Sequence, residues 1–401
     1  MALLPVAEAL ERLLKDAGPV GVETVPLAEA AGRVLAAPLA ALRTQPPFDA
    51  SAMDGYAVRS EDIANVPARL RLTGMAQAGR RFGAPVGPGH AVRIFTGAPL
   101  PEGADTIAIQ ENVRTLSPDT IEVLEPAPPG KHIRRAGLDF LQGDTLLQAG
   151  RTLDSAALSL AASGNHPTVR VHARPLVAIL ATGDELVPPG SPLGPDQIVA
   201  SNSFGIAAIA ANAGARVLDL GIVADSGNAI EEKLRHAAEA GADAIVTVGG
   251  ASVGDHDLVH GVLQRMGVDL AFWKIAMRPG KPLMFGRLGK ARCIGLPGNP
   301  VASLICSHVF LRPLLGALTG RPFTPAFATA LLGTDMAEND QRQDYVRARL
   351  ERQGETLLAF PFAVQDSSML RFFADADALI IRPPHAPALA AGSPCQVLLV
   401  G

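Results

Sequence analysis

Three glycine-rich segments stand where chemistry could be done. Ala181-Thr-Gly-Asp-Glu-Leu186 follows an apolar run, Thr247-Val-Gly-Gly-Ala-Ser-Val-Gly-Asp-His-Asp257 follows another, and Gly295-Leu-Pro-Gly-Asn-Pro300 follows a third. Glycines such as Gly183, Gly249, Gly250 and Gly254 let backbone N–H groups turn toward an anion at close range. Pro297, Asn299 and Pro300 open a helix whose N-terminus suits an oxyanion. Lys274, Arg278 and Lys281 fall within eight residues and suit an anionic ligand. The acids Asp184, Glu185, Asp225, Asp255 and Asp257 gather beside the same segments. Carboxylates beside a phosphate-competent edge point to a divalent cation with oxygen ligands, magnesium being the natural one. For any one loop the plain alternative is a βα turn that needs the same residues. For the cations it is a solvated basic turn.

Two further segments precede these. Pro47-Phe-Asp-Ala-Ser-Ala-Met-Asp-Gly-Tyr-Ala57 carries Asp54 and one of only 2 tyrosines, and Phe95-Thr-Gly-Ala-Pro99 carries Thr96. Asp139 follows Arg134-Arg135 and reads equally as their salt-bridge partner.

The elements that must position these loops follow from periodicity. Leu176–Ala181 is a continuous apolar run, as a doubly covered parallel strand should be. Helices are expected over 203–213, 230–240, 258–266 and 301–318, and strands over 216–222, 244–248, 272–276 and 291–295. That is a three-layer α/β domain, whose ligands bind outside the carboxyl ends of the strands. Short alternating runs over 70–73, 91–95, 106–110 and 120–124 make a β-rich module inserted into a helical region. The helices of that region are expected over 5–17, 27–36 and 153–163. Runs over 345–350, 356–359, 378–381 and 395–400 predict a C-terminal β-barrel or sandwich. The domains are therefore 1–45 with 130–168 (elongated, helical and discontinuous), 46–129, 169–319 and 320–401.

Composition narrows the classes. The 401 residues carry a net charge of -4, which supplies no broad positive field for nucleic acid. The 3 cysteines form no CxxC pair, so reduced thiols in the cytoplasm are expected. No signal peptide or membrane-spanning segment is expected. GxxxxGK[ST], GxGxxG, HExxH and GxSxG are all missing from the sequence.

Taken together, SAMDGYAV (51–58), FTGAPLPEGAD (95–105), IRRAGLDFLQGD (133–144), ATGDEL (181–186), GGASVGDHD (249–257), FWKIAMRPGKPL (272–283) and GLPGNPVAS (295–303) resemble one family, in family order. It is the molybdopterin molybdenumtransferases, to which the C-terminal part of gephyrin is related. The resemblance implies the four domains above. It also implies a homodimer whose cleft joins the α/β domain of one subunit to the β module of the other. The implied substrates are adenylylated molybdopterin and molybdate, with release of AMP and assistance by magnesium; a molybdopterin adenylyltransferase would supply the first. Carried over by position, Asp54, Thr96, Asp139, Glu185, Asp225 and Asp257 are the active-site candidates. Glu185, Asp225 and Asp257 are the metal candidates. Thr182, Gly183, Asp184, Gly249, Gly250, Ser252, Gly254, Lys274, Arg278, Lys281, Pro297, Asn299, Pro300, Ser303, Arg347 and Ser367 would line the substrate pocket. Arg278 stands where the family often has Lys, and Arg371-Phe-Phe stands where Ser-Leu is usual. Two other readings are a nucleotide pyrophosphatase on a related α/β domain and a non-catalytic scaffold of the gephyrin type.

Overall fold

A computed structural model of the chain describes residues 3–249, 258–321, 323 and 325–400. Two compact units divide it. One comprises residues 1–23, 32–36 and 170–401; the other comprises 24–31 and 37–169.

The first unit is built on a six-stranded sheet. Its strands are β1 (Leu176–Thr182), β2 (Arg216–Val223), β3 (Ala244–Val248), β4 (Asp269–Lys274), β5 (Pro282–Leu288) and β6 (Ala291–Leu296), in the order β2-β1-β3-β6-β5-β4. β2, β1, β3 and β6 pair in parallel, while β5 pairs antiparallel with both β6 and β4. Successive residues of β1 feed opposite layers. Val177 and Ile179 pack with Ile206, Ala210 and Leu314, whereas Ala178 and Leu180 pack with Ile230, Leu234 and Val262. A strand buried on both faces must be apolar throughout, hence the unbroken run in the sequence. The layers are α2 (Asn202–Asn212) and α5 (Pro300–Thr319) on one side, α3 (Gly227–Glu239) and α4 (Leu258–Arg265) on the other.

α1 (Val6–Leu14) buries Val6, Ala9 and Leu13 in this same α/β core. The helix expected over 27–36 is a single 3-10 turn, Leu27–Glu29. Gly32 sits at φ 71, which ends any helical run, and Leu35 then bridges Val171 in extended conformation. α5 is, among the described residues, the one helix long and apolar enough to cross a membrane by length and composition, with 78% of its apolar window buried inside the protein. Its middle holds a π turn, Ser307–Leu311, where the Arg312 N–H reaches back to the Ser307 carbonyl just ahead of Pro313, which has no N–H.

The C-terminal strands are β7 (Phe327–Leu332), β8 (Gln343–Gln353), β9 (Thr356–Pro361), β10 (Ala378–Arg382) and β11 (Pro394–Leu399). Pairings β8–β9, β9–β7, β7–β11, β11–β10 and β10–β8 close a five-stranded barrel, and closure leaves no free edge. β7 is the barrel strand the sequence reading missed.

The second unit carries a six-stranded sheet in the order 106–109, 55–58, 90–94, 68–76, 120–123, 113–117. Both faces are apolar: Ala57, Val92 and Ile107 enter one core, Val58, Ala91 and Ala108 the other. The helix Ser155–Ser163 begins at Asp154, whose carboxylate accepts the Ala157 N–H as an N-cap should.

Candidate active site

The carboxyl ends of β1, β3 and β6 open into a cleft of about 720 Å³. Glycine packs the loops there. Gly249 has φ 91, and a Cβ on it would lie 2.5 Å from the Thr182 carbonyl oxygen. Its N–H donates to the Leu296 carbonyl at 3.3 Å, and a Cβ placed on Gly298 would lie 3.7 Å from its Cα. Three βα turns thus converge backbone to backbone. Thr182, Gly183, Glu185, Asp225, Gly249, Pro297, Asn299 and Pro300 line the cleft, as expected.

The sequence reading missed the other wall. Ser201 and Asn202, at the start of α2, line the cleft, and Asn202 Nδ2 donates to the Gly298 carbonyl at 2.7 Å. Ser368 and Leu370 of the barrel line it too. Asn299 stands at the N-cap position of α5, but its side chain makes no cap; Nδ2 donates instead to Ser367 Oγ at 3.0 Å. The Val301 N–H donates to the Ser367 carbonyl at 3.0 Å, so Ser367 fastens the barrel loop to the helix N-terminus. A polar Ser-Asn pair before a predicted helix was the one signal available for the missed wall.

The acids of this edge are crowded. Asp184 Oδ1 accepts the Asp225 backbone N–H at 3.0 Å, which ties the loop after β2 to the loop after β1. The Glu185 carboxylate folds back over Gly183, where a Cβ would meet its Oε2 at 2.5 Å. Burial first, then the charges of Asp184 and Glu185, push the Asp225 carboxyl above its ordinary value, and no cation among the described residues offsets them. All-oxygen anionic donors without a counter-charge suit magnesium in chemistry. Among the described residues no group of three His, Cys, Asp or Glu is placed to hold a metal ion. Asp257, the third expected ligand, lies outside the described residues, as do Gly250, Ser252 and Gly254.

Lys274, Arg278 and Lys281 do not line the cleft among the described residues; Pro282 next to them does. Arg278 is bound to Asp344, a buried barrel carboxylate, and stands 3.7 Å from Asp340. Arg347 is 1% exposed, and its guanidinium donates to the Asp366 carbonyl at 2.9 Å, the Met369 carbonyl at 3.2 Å and Gln365 Oε1 at 3.3 Å. It holds the loop that carries Ser367 and Ser368, and its donors are occupied by that loop. Ser303 is fully buried, with Oγ donating to the Pro300 carbonyl at 2.9 Å inside the helix. Arg278, Arg347 and Ser303 thus each donate to an acceptor within the protein.

In the second unit, Asp54 and Thr96 meet. Asp54 Oδ1 accepts the Thr96 N–H at 2.7 Å and the Thr96 hydroxyl at 2.8 Å. The Thr96 N–H first, then its hydroxyl, hold the Asp54 carboxyl below its ordinary value. Asp139 is exposed, and Arg135 pairs with Asp49 at 2.5 Å rather than with Asp139.

A multidomain α/β protein with a closed barrel and a carboxylate-lined, glycine-packed strand edge is the class defined so far. Three family models cover the chain: the MoeA N-terminal region (domain I and II) over 4–164, the probable molybdopterin binding domain over 178–317, and the MoeA C-terminal region (domain IV) over 329–400. A molybdopterin molybdenumtransferase of Haemophilus influenzae is 39% identical over 320 residues, 80% of this chain and 78% of that one. Molybdopterin molybdenumtransferase 2 of Mycobacterium tuberculosis is 37% identical over 386 residues, 93% and 94% of the two chains. Two crystal structures of the molybdopterin biosynthesis MoeA protein from Pyrococcus horikoshii superpose with TM-scores of 0.85 and 0.82, at 30% and 27% identity, covering at least 99% of each chain. The chain belongs to the molybdopterin molybdenumtransferase family.

Proposed function

We propose that this chain inserts molybdate into adenylylated molybdopterin and releases AMP. A water oxygen attacks phosphorus, the phosphoanhydride bond breaks and AMP leaves; the two dithiolene thiols then bond molybdenum as one molybdate oxygen departs as water with their two protons, so molybdenum keeps its oxidation state. The observation that carries this reading is the joint occurrence, at one strand edge, of close-packed backbone loops and crowded carboxylates, with no cation among the described residues offsetting the charge at Asp225. Backbone N–H groups and the N-terminus of α5 bind oxyanions. Glu185 and Asp225 would hold magnesium, whose charge would offset theirs and stabilise charge developing on the phosphoryl oxygens. Asp54, held ionised by Thr96, orients or accepts a proton from the attacking oxygen. In the proposed homodimer Asp54 and Thr96 serve the α/β edge of the partner subunit.

The names of the relatives support molybdenum cofactor synthesis over a scaffold role, and a scaffold would need no acids at the edge. A molybdopterin adenylyltransferase is the partner that this substrate requires. Action in the cytoplasm agrees with three buried free cysteines. The test is expression in a strain lacking its own insertion enzyme. Restored molybdoenzyme activity is expected; a chain that hydrolyses dinucleotides without restoring it would support the pyrophosphatase reading instead.

A further inference from the structure

Asp54 is held by more than Thr96, and the remaining contacts converge on one side chain that no motif singled out. Arg93 lies directly across the ladder from Tyr56. Its guanidinium stands 4.9 Å from the centroid of the Tyr56 ring and 5.1 Å from that of Phe95. Nη1 donates to the Gly55 carbonyl at 3.2 Å, and Nη2 donates to Gln110 Oε1 at 2.7 Å. Gln110 in turn donates its backbone N–H to the Asp54 carbonyl at 3.1 Å. The corner is closed on its other side as well: a Cβ on Gly55 would fall 2.2 Å from the Ala108 carbonyl oxygen.

The geometry assigns Arg93 as a positioning residue that fixes the Asp54–Gly55 corner for the proposed reaction, an assignment that rests on Asp54 belonging to that site. The physical case is specific to arginine. A planar fork reaches Gly55 and Gln110 at once while its faces lie against two rings. An ammonium could satisfy one acceptor or one ring, not the set. Arg93 also brings a positive charge near the Asp54 carboxylate. Catalytic groups lose rate when displaced by even about an ångström, so a clamp on the Asp54 and Gly55 carbonyls should act on turnover more than on binding.

The experiment uses the full-length protein with adenylylated molybdopterin and molybdate, measuring AMP release for wild type, Arg93→Gln, Arg93→Lys, Asp54→Asn and, as a control on the same sheet, Arg69→Gln. Arg93→Gln is expected to lower kcat about tenfold with KM for molybdate within about twofold. Its acid limb should move to higher pH, because the nearby positive charge is gone. Arg93→Lys should return the acid limb toward the wild-type position while kcat stays reduced, since the charge is kept and the fork is lost. Arg69→Gln should leave both unchanged. Arg93→Gln with wild-type kcat and an unmoved acid limb, beside an inactive Asp54→Asn, overturns the assignment. So does a loss of kcat in both Arg93 variants with neither moving the limb, which marks a role in sheet stability alone. An Asp54→Asn protein that keeps the wild-type rate overturns the site reading, and the assignment with it.

Discussion

The carboxylates of the two units are held in opposite ways. In the β module, Asp54 accepts two donors from Thr96 and has Arg93 nearby, so its ionised form is favoured without help. At the α/β edge, Asp225 sits partly desolvated beside Asp184 and Glu185, and its ionised form is disfavoured. The first arrangement is complete in the protein alone, as suits a group that must be ionised and aimed before substrate arrives. In the second, no cation among the described residues offsets the charge on Asp225, and in the proposed reaction a cation from solution would do so. The contrast matches the two proposed roles, a preorganised acid–base corner and a corner that would bind a cation.

Activity gives the largest expected separation. Asp54→Asn, Glu185→Gln and Asp225→Asn should each lower AMP release by about 100-fold or more. Only the last two should change the concentration of magnesium needed for half-maximal rate. Equal displacement of that concentration by Asp54→Asn would break the contrast.

Backbone strain gives the next separation. Gly249 and Gly97 both have positive φ, 91 and 80, but a Cβ on Gly97 meets nothing within 4 Å while one on Gly249 meets the Thr182 carbonyl. Alanine at 97 should cost about 1 kcal/mol, and alanine at 249 about 2 kcal/mol or more, because strain and collision add. Protease susceptibility of each unit, read against denaturant, checks the ranking.

The smallest effect is on stability as a function of pH, and its signs differ. The folded value of Asp225 is raised, so its contribution is present below the unfolded pKa and lost as pH rises through the folded one. Asp225→Asn should therefore gain slightly in thermal midpoint over wild type on going from acid to neutral pH without magnesium. The folded value of Asp54 is lowered, so its contribution is present above the unfolded pKa and lost as pH falls. Asp54→Asn should lose slightly at neutral pH, with the difference closing in acid. Thermal scans over that range, showing the same sign for both variants, would contradict the electrostatic contrast.

The strand edge was legible because a doubly covered strand must be apolar and the turn after it must contain glycine. Thr182, Gly183, Glu185, Gly249 and Pro297 were found that way. What the sequence hid was long-range. Arg278 reads as a free cation until Asp344, 66 residues on, is seen to hold it. Arg347 reads as an anion contact until the carbonyls of Asp366 and Met369 are seen to occupy it. Asn202 gives no local hint that it reaches Gly298, 96 residues away. Local periodicity cannot report which acceptor a long side chain will meet. The missing helix over 27–36 has a local cause, Gly32 at positive φ, that an apolar helical pattern outvoted.

The central claim is that both corners act on one substrate across a subunit boundary. Mixing Asp54→Asn subunits with Glu185→Gln subunits under exchange conditions tests it most directly. Each variant alone should release AMP at about a hundredth of the wild-type rate or less, while the mixture should recover about a quarter of that rate, because each mixed dimer holds one site free of both substitutions. A mixture as inactive as its components, with exchange shown to have occurred, would contradict the shared site.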